Sequence, residues 1–180
     1  MIAGSGAPDG QARTRAAFVS DFLHLPIAFV EASPLLSDPR HTWLRLISSE
    51  GLGDGEVERD APTGKGETPE TTVTVRVAPL ARRAAPAVSV SAGVPRVRAD
   101  SVLVPLTWRP VSFESLLPQL VGDLTLTDLG EEASRLALAG RYSVPLGAVG
   151  WEMNRLAMHR VVETTVRRFL ADVGRLVAGA

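Results

Sequence analysis

Residues 136–177 read LALAGRYSVPLGAVGWEMNRLAMHRVVETTVRRFLADVGRLV. Leu136 and Leu138 alternate with Ala137 and Ala139, a strand pattern that continues through Gly140, Arg141 and Tyr142. Pro145-Leu146-Gly147 breaks it, and from about Ala148 to Val177 the apolar residues recur at helical spacing. Advancing by about 100° per residue puts Trp151, Met158, Val162, Val166, Phe169, Val173 and Leu176 on one stripe, with Glu163, Arg167 and Arg168 away from it. At about 1.5 Å per residue this helix exceeds about 40 Å in length. So long a stripe needs a large apolar partner.

The residues upstream supply one. Phe18 to Leu25 is a short apolar and aromatic run ended by Pro26, a first strand. Ile27, Phe29 and Val30 then begin a helical spacing that Pro34 and Pro39 cut short, which predicts two brief helices, the second around His41 to Ile47. From Val73 the period switches to two: Val73, Val75 and Val77 alternate with Thr72, Thr74 and Arg76. The same alternation recurs at Val88 and Val90, at Val102, Val104, Leu106 and Trp108, and at Leu124 and Leu126. Turn signals at Pro79–Pro86, Gly93-Val94-Pro95 and Leu129-Gly130-Glu131 separate these runs. Short alternating strands joined this way predict an antiparallel sheet with one wet face. Pro105, inside a strand run, implies an edge or a bulge. Between Pro110 and Gly122, Phe113, Leu116, Leu117 and Leu120 suit a short helical turn or lid.

Composition sets the bounds. A chain of 180 residues with 45% hydrophobic and 22% charged residues can bury one sizeable core. The expected layout is a flexible leader over 1–16 and a single domain over 17–178 carrying a flexible, Gly- and acid-rich loop at 49–70. The leader lacks a basic stretch followed by an apolar run, so it does not read as a signal peptide, and no apolar segment is long enough to span a bilayer. A cytoplasmic location is the expectation. A net charge of −1 and a pI near 6.3 give no overall pull towards nucleic acid or anionic lipid. No cysteine is present, which removes disulfides, thiolate metal sites and a cysteine nucleophile.

The order of short strand, broken helices, antiparallel strands and long C-terminal helix resembles the START-like superfamily, also called SRPBCC or helix-grip. The likeness is carried by Val104-Pro105-Leu106-Thr107-Trp108, Leu117-Pro118-Gln119-Leu120, Gly140 to Gly147, and His159-Arg160-Val161-Val162 with Thr165-Val166-Arg167 beyond. The resemblance is to uncharacterised bacterial and polyketide cyclase-like members. It implies an α+β fold in which an antiparallel sheet wraps the terminal helix around a cavity; in different members that cavity holds lipids, sterols, hormones or aromatic polyketides. The Gly- and acid-rich insert before Val73 and the Pro-rich stretch from Pro79 to Pro95 depart from the pattern. No catalytic residue carries over, since the superfamily has no universal signature.

Several chemistries are absent. His24, His41 and His159 lie in no zinc-binding spacing. Gly51-Leu52-Gly53-Asp54-Gly55 and Gly64-Lys65-Gly66 do not join a strand to a helix as a phosphate loop does. There is no Gly-x-Ser-x-Gly elbow, and the basic pairs Arg82-Arg83 and Arg96-x-Arg98 lack interleaved aromatics for stacking bases. No metal or cofactor is therefore expected. What remains is an apolar wall of Trp108, Tyr142, Trp151, Met158 and Val162, with Arg155 and His159 as polar groups near the helix stripe. Parity with Leu136 and Leu138 sends Tyr142 inward and Arg141 outward, so its phenol needs a partner: a ligand, water, Arg155 or backbone. The plainer alternative makes Arg155 a snorkelling surface residue and His159 an ordinary structural hydrogen-bonder. Three functions stay open: a binding protein for a small hydrophobic or amphipathic ligand, a cyclase or aromatase with His159, Arg155 or Tyr142 as acid–base groups, and a homodimeric interaction module sealed by Met153 and Leu156.

Overall fold

The computed structural model describes residues 16–50, 71–76, 87–110, 118–143 and 151–179, with side chains throughout except at 48–50, 71–76, 87 and 151–157. Residues 1–15 of the expected 1–16 leader, most of the 49–70 loop, the Pro79–Pro86 turn, the lid residues Phe113, Leu116 and Leu117, and the Pro145-Leu146-Gly147 break lie outside these residues; Ala16 instead opens the first strand. The side chains of Trp151, Met153, Arg155 and Leu156 also lie outside the described residues.

Seven strands are described: β1 (Ala16–Leu25), β2 (Thr71–Arg76), β3 (Ala87–Ala92), β4 (Arg96–Val97), β5 (Ser101–Pro110), β6 (Gln119–Gly130) and β7 (Ala133–Ser143). They form one sheet in the order β1-β7-β6-β5-β3-β2, every pair antiparallel, with β4 also on β5. Where side chains are described, the alternation read from the sequence is borne out; that of Val73, Val75 and Val77 lies outside them. Val102, Val104, Leu106 and Trp108 face inward, as do Leu124, Leu126, Leu136, Leu138 and Tyr142, while Arg109 and Arg141 are exposed. Residues 119–122, grouped above with a helical turn or lid, instead open β6. Their alternation, Leu120 inward and Val121 outward, lets them extend the ladder with β7.

Register sets the inner face in rows. Trp108 on β5 pairs with Leu120 on β6, Leu120 with Tyr142 on β7, and Tyr142 with Ala17 on β1. In the next row Gly122 pairs with Gly140. A Cβ on Gly122 would stand 2.4 Å from the Ala139 carbonyl oxygen and 2.6 Å from the Gly140 Cα. Two glycines let β6 and β7 approach here more closely than any side chain permits, as at a bend in a strand. Pro105 is not on an edge strand: β5 lies between β6 on one side and β3 and β4 on the other. Its carbonyl accepts the Gly93 N–H at 2.8 Å, so its missing N–H falls on the same side, where β3 ends and the ladder shifts register before β4.

Three helices pack on the inner face: α1 (Phe29–Ser37), α2 (Thr42–Glu50) and α3 (Trp151–Ala178). Pro34 sits inside α1 without ending it. Phe29, Ala32 and Leu36 are buried along one face, and that packing outweighs the one backbone hydrogen bond a proline forfeits. α2 runs through Glu50, past the expected start of the loop. In α3 the stripe of Met158, Val162, Val166, Phe169 and Val173 is buried, and Glu163, Arg167 and Arg168 are exposed. Val177 is buried where Leu176 was expected; Leu176 is only half-buried. At Gly174 the helix lies so close to β1 that a Cβ would be 2.6 Å from Leu23 Cδ2. Phe169 joins the layers through edge-on contacts to Trp43 of α2, at 6.3 Å between ring centroids, and to Trp108 of β5, at 5.3 Å.

Candidate functional site

The site grows from the Trp108–Leu120–Tyr142 row and the face of α3 above it. Alternation aims these three side chains inward, and the helix period brings Met158, Val161, Val162 and Thr165 over the sheet. Trp108, Tyr142, Met158 and Val162 are all buried in the same core, and His159 is half-buried beside them. Five of the seven expected binding residues are thus brought together. Trp151 and Arg155 belong to the first turns of α3, and their side chains lie outside the described residues.

Tyr142 Oη lies 2.7 Å from His159 Nδ1, and the two rings stack with centroids 6.1 Å apart and planes tilted by 23°. His159 is the partner missing from the sequence-based candidates for the phenol. On its other side, His159 Nε2 is 3.2 Å from Glu163 Oε1, one helical turn on. These three groups form a chain from a buried phenol to a half-exposed carboxylate. In neutral His159, an Nε2–H given to the carboxylate leaves Nδ1 to accept the phenol O–H. When the imidazole is protonated, Nδ1–H donates to the phenol oxygen instead, so the link persists with its direction reversed. Glu163 was missed because it was read as the outer, solvated face; the signal was its i,i+4 spacing from His159.

Next to this chain, Val88, Trp108, Pro118 and Leu120 of the sheet side and Val161, Val162 and Thr165 of α3 enclose a gap. Its water-accessible space is about 30 Å³, and the gap is partly open to solvent. Among the described residues no charged side chain lines it. The Thr165 hydroxyl donates to the Val161 carbonyl at 2.7 Å. Trp108 Nε1 is buried and has no hydrogen-bond partner among the described residues. The inward parity of Val88 and Leu120 was legible in the alternation; the place of Val161 and Thr165 follows from being neighbours of Val162 on the helix. Among the described residues no group of three or more His, Asp or Glu side chains is placed to hold a metal ion, and no helix is long and apolar enough to cross a membrane.

A twisted antiparallel sheet closed over a long C-terminal helix, with two short helices after the first strand, is the helix-grip fold of START-like, SRPBCC proteins. The resemblance read from the sequence is borne out at the level of fold. Solved structures with the same architecture include the Zhui aromatase/cyclase of Streptomyces sp. R1128, with a TM-score of 0.63, 11% identity, and 91% of this chain and 94% of that one covered. Norcoclaurine synthase from Thalictrum flavum, in complex with dopamine and hydroxybenzaldehyde, has a TM-score of 0.59 at 11% identity, covering 99% and 96%. Ara h 8.0201 has a TM-score of 0.53 at 11% identity, covering 92% and 100%. No protein-family model matches the sequence, and no curated protein is significantly similar to it.

Proposed function

We propose that this protein binds a small hydrophobic or amphipathic molecule between the sheet and α3. The observation that carries the reading is the apolar gap between Trp108, Leu120 and Val162, which the core leaves unfilled at the sheet–helix seam. Interiors are normally packed to crystal-like density, so an opening bounded by large apolar side chains points to an occupant. At about 30 Å³ of water-accessible space the gap takes only one end of a ligand, since pockets for whole ligands run to about 300–1,000 Å³. Binding of dopamine and hydroxybenzaldehyde by a protein of the same fold supports an aromatic occupant. The test is a thermal-shift screen of fatty acids, sterols and phenolic or polyketide-like aromatics. A ligand at a hundredfold excess over Kd adds about 2.7 kcal/mol of stability, and Val162→Trp, which fills the gap, should remove the shift. A screen in which no class raises Tm refutes the reading.

A second reading is favoured by one contact, the 2.7 Å approach of Tyr142 Oη to His159 Nδ1. It makes the site a cyclase-type catalyst in which this pair moves a proton to or from an enolisable ligand. Ring closure of a poly-β-ketone mimic at the same rate by wild type, Tyr142→Phe and His159→Ala would eliminate it.

A further inference from the structure

The outer face of the sheet carries an apolar patch that no described element covers, since all three helices pack on the inner face. Phe18 and Phe22 of β1 are each 61% exposed there, and Val121 of β6 is 56% exposed. Strand register joins them. Phe18 pairs with Arg141 and Arg141 with Val121, while Phe22 pairs with Ala137. Ala139 lies between these two rows and pairs with Asp123. Scattered exposed apolar residues are ordinary, but two phenylalanines and a valine joined through alanines form a contiguous patch of the kind that marks an interaction surface. Within it stand one cation and one anion, Arg141 and Asp123, both exposed. Neither side chain makes a hydrogen bond or ion pair with a described residue.

We propose that this face docks a second copy of the chain, outer sheet on outer sheet, about a two-fold axis that sets Arg141 of each copy over Asp123 of the other. The two residues are diagonal neighbours on adjacent strands, about 7–8 Å apart. An axis lying between the copies, through the midpoint of that diagonal and at right angles to it, exchanges them, so the ion pair is made twice, as any contact is in an isologous dimer. On the strand spacing and rise of a regular sheet, the same axis brings each Phe18 ring over Ala137 and Ala139 of the other copy, whose small side chains leave room for it. The strands of the two sheets then cross steeply, as in orthogonal sheet packing. Four strands over about eight residues present roughly 500 Å². Both copies together bury about 1,000 Å², the lower bound of a specific interface, so the dimer is weak and reversible. The sheet–helix gap lies on the opposite face, and this proposal stands independently of the ligand reading.

Sedimentation equilibrium of the full chain between about 5 and 500 µM should show monomer and dimer in exchange, with Kd in the micromolar range. Arg141→Asp places like charges opposite each other twice and should weaken association at least about tenfold, as should Asp123→Arg. The double variant exchanges the two charges and should return Kd to within about threefold of wild type. That rescue is a readout that a folding defect does not imitate. Phe18→Ser should weaken the dimer, whereas Val30→Ser, at a residue 74% exposed on α1, should leave it unchanged. A dimer that survives both single charge reversals overturns the proposal, because the copies then meet elsewhere. A chain that stays monomeric at the highest concentration overturns it too. If that monomer cosediments with phosphatidylserine vesicles and Phe18→Ser does not, the face is a lipid-docking surface instead, with His24, Arg109 and Arg135 at its border supplying the positive charge.

Discussion

Gly122→Ala tests whether the sheet grips the helix through the glycine pair at its centre. The new Cβ would meet the Ala139 carbonyl oxygen at 2.4 Å and the Gly140 Cα at 2.6 Å, so the strands must part by roughly 1 Å to restore van der Waals contact. The atoms in the way are backbone, not the tip of a mobile side chain. That places the penalty at the upper end of overpacking, about 3 kcal/mol. Replacing glycine also restricts the unfolded chain, which offsets about 0.5–1 kcal/mol. A net loss of about 2 kcal/mol lowers Tm by roughly 5 °C in a chain of this length. Differential scanning calorimetry, with urea titration at 25 °C, measures it. Gly93→Ala is the control: its Cβ would sit 3.4 Å from the Pro105 Cβ, an ordinary contact, and should change stability by less than about 0.5 kcal/mol. If Gly122→Ala melts no lower than Gly93→Ala, β6 and β7 do not approach as described.

Two further outcomes follow from the core and its edge. Phe169→Leu keeps an apolar side chain but removes edge-on contacts to both Trp43 and Trp108; at about 0.5–1.5 kcal/mol each it should cost about 1–3 kcal/mol and weaken the near-UV circular dichroism, and an unchanged urea midpoint would contradict the aromatic bridge. Burial pushes the pKa of His41 below its ordinary value, against the opposing pull of Asp38 and a hydrogen bond to the Gly93 backbone. The unfolded chain therefore takes up this proton at a higher pH than the native protein does. Stability due to this group is present above about pH 6.5 and falls as pH drops below it, by at most about 1.4 kcal/mol per pH unit. His41→Asn, which tolerates the positive φ of 49° at this position, should flatten that slope between pH 7.5 and 5.5; an identical slope in the variant would show that His41 titrates alike in both states.

Much of the fold was legible because alternation and helical period are local. Each needs only the identities of neighbouring residues, and they correctly sent Trp108, Leu136, Leu138 and Tyr142 inward and Arg141 outward. The same local rules misjudged Pro34, whose helix is held by the buried face of Phe29, Ala32 and Leu36, and residues 119–122, which join β6 through pairing with β7. Pro105 was read as a mark of an edge or bulge; the shift in the facing ladder lies beside it, although its strand is interior.

The sequence by itself determined an antiparallel sheet with one apolar face, a long terminal helix to cover it, and the candidate residues that point between them. Tertiary structure decided which of those residues meet. The contact of Tyr142 with His159 spans 17 positions, and the Trp108–Leu120–Tyr142 row depends on the register of three strands. Periodicity says which way a side chain points. What it touches there is fixed by strand register and by the seating of α3 on the sheet, which are properties of the assembled chain.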